Sequence, residues 1–177
     1  MIIGCLFTIS IMGQKEVVSA YNANKDGDYR AASTYIEQAI LIEKSNTKDK
    51  TWRYRGEIYL NISRDSSLTM EYPNALRISM ESYLKATELD IKGRYEDEIR
   101  LGLAQVQIGA NGKGITYYNT TSFDLAASSF DLAAEVARTF DIVDTMAVYN
   151  AALCYEKADM TDMAIERYKD CAVIKYQ

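Results

Sequence analysis

The sequence has no histidine, one proline, one tryptophan and three cysteines among its 177 residues. Without imidazole, the side chain that most often moves protons near neutral pH and most often binds metals is missing. A zinc site would have to be built from only three cysteines and carboxylates, so no metal is expected, and no cofactor is expected either. The acidic residues are spread along solvent faces, as in Glu96, Asp97, Glu98, Asp124, Asp131 and Glu135. Nothing in the pattern gives two of them the unequal environments that acid–base catalysis needs, so no catalytic residue is assigned and no enzyme activity is expected. Basic residues form no block and the net charge is −5, which leaves no footprint for a phosphate backbone and argues against a nucleic-acid partner. The near absence of proline points to helices. At 48% hydrophobic and 25% charged residues the composition is that of a globular chain, with one continuous core or one stack of repeats.

Residues 1–13 are uncharged and mostly apolar, and polar sequence begins abruptly at Gln14-Lys15-Glu16. The run is shorter than the roughly 20 apolar residues of a membrane span. It fits the hydrophobic region of a secretory signal, here a remnant with Gly13 before the cleavage point, and the alternative is a buried N-terminal element. Export to the periplasm or cell envelope is the expected localisation, with the cytoplasm as the alternative. Ile2-Ile3-Gly4-Cys5 has the form of a lipobox, but Leu6 to Met12 stay apolar where a lipidated protein turns polar.

An internal repeat dominates the remainder. The spacing small-x3-large-x2-small occurs as Ala32, Ile36, Ala39; Ser79, Tyr83, Ala86; Ala126, Phe130, Ala133; and Ala164, Tyr168, Cys171. Steps of four and three place each trio on one helical face, where small residues admit a neighbouring backbone and the large one fills the gap. A preceding helix carries Ala20 and Ala23, Gly56 and Tyr59, Gly114 and Tyr117, or Ala152 and Tyr155. From Ala20 to Ala32, Gly114 to Ala126 and Ala152 to Ala164 the interval is twelve each time; only Gly56 to Ser79 departs, at twenty-three. Twelve residues leave room for one short turn, so each pair reads as an antiparallel helical hairpin. Eight helices are expected near 14–25, 28–44, 49–63, 72–90, 94–119, 122–138, 142–158 and 160–175. Pro73 falls at the start of the fourth, and the insertion of the second repeat in the loop from Arg64 to Glu71. The fifth helix carries Gly102, Gly109, Gly112 and Gly114; it runs as one long helix or breaks near Gly109 to Gly112, the former being favoured.

These residues resemble the tetratricopeptide repeat (TPR). Its Trp-x3-Gly-x2-Tyr opening stands as Trp52, Gly56, Tyr59, and its Gly-Asp-Tyr turn followed by a small residue as Gly27, Asp28, Tyr29, Ala32. The resemblance covers residues 14 to 176. It implies an all-α, TPR-like stack of four hairpins over 14–177 (about 14–46, 49–92, 94–140 and 142–177) wound into a right-handed superhelix. The chain departs from the family in three ways: no proline closes a repeat, the first repeat has Ala23 where an aromatic is usual, and the trios start at 32, 79, 126 and 164, so that the intervals are 47, 47 and 38 in place of about 34.

The resemblance further implies a non-enzymatic scaffold that binds a protein or peptide in a concave groove lined by the first helix of each hairpin. The matching positions are Val17, Tyr21 and Asn24; Arg53, Glu57 and Leu60; Asn111, Ile115 and Tyr118; Tyr149, Leu153 and Glu156. Tyrosine, arginine and amides suit such a surface, combining rigid aromatic area with hydrogen bonds. The cationic clamp by which chaperone-binding members hold a terminal carboxylate is absent, its positions being Val17, Tyr21, Tyr54, Ile108 and Gly112. No small-molecule substrate is expected: Gly109 to Gly114 fails as a phosphate loop because Gly114 stands where Ser or Thr would bind magnesium. Cys154 and Cys171 occupy small core positions and read as two buried thiols, with a disulfide between them as the alternative in an exported chain. The last repeat ends without a polar cap after Tyr168, Ala172 and Ile174, which implies a longer protein or docking of this end on a partner or a copy of itself. The alternative function is a structural component of a cell-envelope complex working through its end face and convex surface.

Overall fold

The structure, a computed structural model, describes residues 4–174, with side chains from 13 to 173. The lipobox cysteine side chain and the chain end at Gln177 lie outside the described residues. Among the described residues the chain is all-helical, with nine helices: α1 Gly4–Lys25, α2 Tyr29–Ile40, α3 Glu43–Asn46, α4 Asp49–Arg64, α5 Ala75–Leu89, α6 Glu96–Asn119, α7 Phe123–Arg138, α8 Thr145–Lys157 and α9 Thr161–Ile174. The chain divides into two compact units, Met1–Leu103 and Ala104–Gln177.

In the first unit α1 packs on α2, α4 on α5, and α2 on α4. Their shared core holds Ala20, Ala32, Ile36, Ala39, Ile58, Tyr59 and Ile62. In the second unit α7 packs on α8 and α8 on α9, around Ala126, Phe130, Ala151, Cys154, Tyr155 and Ala164. Every residue of the first three trios is buried; in the fourth, Ala164 is buried while Tyr168 and Cys171 are half-buried.

The twelve-residue interval has a local cause. After α1, α6 and α8 the chain enters the left-handed region at Gly27, Thr121 and Asp159, with φ of 78°, 60° and 58°. The next amide, of Asp28, Ser122 or Met160, donates back five residues to the carbonyl of Ala23, Tyr117 or Tyr155 at 2.9 Å in all three cases. This is the Schellman closure of a helix end. Asp28 then caps α2 by accepting from the Ala31 amide at 3.0 Å.

The small positions admit the large ones as the spacing requires. A Cβ added at Gly56 would lie 2.9 Å from the Tyr83 ring, and one at Gly102 would also collide with the Tyr83 ring. At Gly114 it would lie 2.7 Å from the Phe130 ring. Such distances are inside van der Waals contact, so only glycine fits there.

Each unit also repeats one polar staple between successive hairpins. Tyr59 on α4 donates to Glu37 on α2 at 2.8 Å, and Arg55 donates to the same carboxylate at 2.8 Å. In the second unit Tyr155 on α8 donates to Asp131 on α7 at 2.7 Å, and Arg167 grips that carboxylate at 2.7 and 3.2 Å. Both carboxylates directly follow the large residue of a trio, Ile36 or Phe130. Burial and the adjoining carboxylate raise the pKa of both phenols well above the ordinary tyrosine range.

Several expectations are corrected. The helix expected over 28–44 stops at Ile40, and Ile42 turns to extended geometry (φ −98°, ψ 114°) before the single turn of α3. The break brings Ile42 and Ser45 against Gly13, which lies buried inside α1. Pro73 precedes its helix instead of opening it, because α5 begins at Ala75 with Asn74 as its N-cap. The inserted loop extends through residue 74 and is packed: Leu68 is buried, and the Tyr72 hydroxyl lies 3.0 Å from that of Ser33. Of the two readings of 94–119, the continuous helix is the one observed.

Candidate partner-binding face

The groove positions read from the sequence meet different fates in the two units. In the first unit they form an internal network. Arg53 is only 6% exposed; it donates to Asp49 at 3.3 Å and Glu98 at 2.6 Å, with the Tyr95 ring 3.6 Å from its guanidinium carbon. The two carboxylates hold its pKa up against the opposing effect of burial, the largest single influence. Asn24, also buried, donates to Glu57 at 3.2 Å and accepts from Asn61 at 3.0 Å. Burial pushes the Glu57 carboxyl up, the Asn24 hydrogen bond opposes it, and the charge of Glu98 adds to the rise. Tyr21 stacks on Tyr54 at 4.9 Å. Val17 and Leu60 are buried and belong to the core, not to an open surface. Among the described residues no buried side-chain nitrogen or oxygen lacks a hydrogen-bond partner, so this half is satisfied from within.

In the second unit the corresponding positions are more open: Ile115, Tyr149 and Glu156 are exposed, and Asn111, Tyr118 and Leu153 are half-buried. Ile115 on α6 is 56% exposed and Tyr149 on α8 is 49% exposed. Met146, Tyr149 and Leu153 follow at steps of three and four, so they share one face of α8. Ile115, Tyr118 and Leu153 line a cavity of about 170 Å³ together with Phe130, Asn150 and Cys154. The Tyr118 ring meets Phe123 edge-on at 5.6 Å, and Lys157 lies 5.8 Å from one ring and 5.5 Å from the other. Tyr149 meets Tyr168 edge-on at 6.1 Å, and the Tyr168 hydroxyl donates to Glu156 at 2.7 Å. That hydrogen bond, with burial and the Glu156 charge, pushes the Tyr168 phenol up to about 12. Asn111 is half-buried on α6.

No protein-family model matches the chain, and no curated protein does.

Sequence reasoning missed Asn150, Cys154 and Lys157 as members of this face. Their spacing from Met146 and Leu153 was the available signal, since 146, 150, 153, 154 and 157 fall on one side of a helix. It also missed Tyr95 and Glu98, whose approach to Arg53 is a long-range event. A second cavity of about 360 Å³ lies in the first unit against Val17, Thr51, Tyr95 and the lysines at 44, 48 and 50. Gly109 to Gly114 lie within the continuous helix α6, so their amides are spent on helical hydrogen bonds and wrap no phosphate. Among the described residues, no group of cysteines and carboxylates is placed to hold a metal ion. No helix among them is long and apolar enough to cross a membrane. Cys154 is buried, its thiol pushed up by burial; Cys171 is half-buried rather than fully enclosed, and neither is in a disulfide.

Proposed function

We propose that this chain is a non-enzymatic interaction scaffold, a TPR-like stack of hairpins whose α6 and α8 face receives a peptide or helix of a partner protein. The observation that carries the reading is the cavity lined by Ile115 and Tyr118 of α6, Phe130 of α7 and Asn150 and Leu153 of α8, with Ile115 exposed at it and Met146 and Tyr149 exposed on α8. Exposed apolar side chains gathered about a concavity mark an interaction surface. Tyr118, Tyr149 and Asn150 add rigid aromatic area and an amide for a peptide backbone. The TPR likeness is supported by the buried trios, the three equal turns and the repeated staple. Export to the cell envelope is the proposed location, supported by the N-terminal apolar run.

The test is copurification from the native source with wild type and with the double variant Tyr118→Ala, Tyr149→Ala. The partner should be lost from the double variant while its melting temperature holds. Retention of the partner would overturn the reading. A second reading, assembly through the end face, is favoured by Met163, Ile165 and Val173, all exposed on α9. It expects sedimentation to show self-association that Ile165→Asp with Val173→Asp abolishes; a monomer at all concentrations refutes it.

A further inference from the structure

The chemistry of the α6–α8 cavity narrows what it accepts; the argument rests on the scaffold reading above. At about 170 Å³ the cavity is smaller than the roughly 300–1,000 Å³ of small-molecule sites and suits one side chain. Its walls are mainly apolar: Ile115, Phe130, Leu153 and the ring of Tyr118, with Asn150 and Cys154 as polar edges. No carboxylate lines it. The charge at its rim is Lys157, exposed, near the rings of Tyr118 and Phe123. Lys157 has no carboxylate partner within ion-pair distance among the described residues, whereas Arg53, Arg55 and Arg167 are all paired. Its sequence neighbour Glu156 is engaged by the Tyr168 hydroxyl.

We propose that this face binds a peptide segment with one apolar side chain seated in the cavity and a carboxylate, within about one helical turn of it, paired with Lys157. A single carboxylate is meant, because the net charge of −5 repels a polyacidic run. Lysine in the last turn of α8 also complements the helix dipole, so the test reads ligand preference as well as stability.

Random peptides displayed on phage are selected against the full chain, in wild type and in Lys157→Glu, with Lys157→Gln as the variant to use if charge reversal unfolds the protein. Wild type should enrich an aliphatic or aromatic residue with Asp or Glu three or four positions away. The variant should lose the acidic preference and bind the wild-type peptides roughly fivefold to tenfold more weakly, the scale of a partly exposed ion pair reversed in sign. Apolar peptides without acidic bias, or the same bias in the variant, overturn the inference and leave the scaffold reading standing. Failure of wild type to select any peptide overturns both.

Discussion

Gly112 and Gly114 stand two residues apart in α6, and alanine at the two positions should change stability in opposite directions. In a helix interior alanine is favoured over glycine by about 1 kcal/mol. At Gly112 an added Cβ meets nothing within 4 Å, so the full gain should appear. At Gly114 the same Cβ lies 2.7, 2.8 and 2.9 Å from three carbons of the Phe130 ring. That ring is buried, 4% exposed, and borders the cavity of about 170 Å³, so a shift toward that space can relieve part of the clash. Overpacking of this kind costs about 1–3 kcal/mol. Subtracting the propensity gain leaves Gly114→Ala destabilised by up to about 2 kcal/mol, against about 1 kcal/mol of stabilisation for Gly112→Ala. The separation is read as urea midpoints followed by helical circular dichroism at constant m. Phe130→Leu added to Gly114→Ala should recover part of the loss, a coupling that distant sites would not show. Gly114→Ala as stable as Gly112→Ala would refute the close-packing account of the repeat's small positions.

Four further outcomes follow from the same geometry. Thr121 holds φ of 60°, costly for a β-branched residue by about 1–2 kcal/mol, so Thr121→Gly should stabilise by about 0.5–1 kcal/mol after glycine's entropy loss; an unchanged or lower melting temperature refutes it. Glu57 has a raised pKa, so its ionisation weakens the fold above the unfolded carboxyl pKa; Glu57→Gln should stabilise at pH 7 by a few tenths to about 1 kcal/mol, with the gain gone below about pH 4. Tyr59, Tyr83 and Tyr155 are raised above the ordinary phenol value, chiefly by burial; their stabilisation is complete below about pH 10 and should fall as pH rises further, seen as a declining urea midpoint with tyrosinate absorbance delayed until unfolding. Peptide-resolved alkylation under native conditions should label half-buried Cys171 before Cys154, which is 1% exposed; equal rates would contradict the burial of Cys154.

Much of the helical framework was legible because its causes are local. The trios fix a helical face, and Gly27 with Asp28 spells a helix end followed by a cap. The end of α2 was not legible: Ile40, Leu41 and Ile42 continue an apolar pattern, and the chain breaks there to lay Ile42 and Ser45 against Gly13 of α1. The site was half legible. Projected inward positions include Ile115, Tyr118 and Leu153, which line one concavity, yet cannot tell that their counterparts Asn24 and Arg53 are closed. Arg53 is closed by Tyr95 and Glu98, more than forty residues along the chain, and Asn24 by Glu57 and Asn61, more than thirty along, and no short-range pattern encodes such contacts.

The sequence by itself determined the helices, the hairpin turns and the positions where only small residues fit, because propensity, caps and periodicity act over a few residues. It also excluded imidazole chemistry through the absence of histidine. Tertiary structure decided which of the projected positions close among themselves and which stay open. Two faces of matching pattern diverge because one meets an arginine's carboxylate and tyrosine partners across the fold, while the other keeps apolar side chains and an unpaired lysine in solvent.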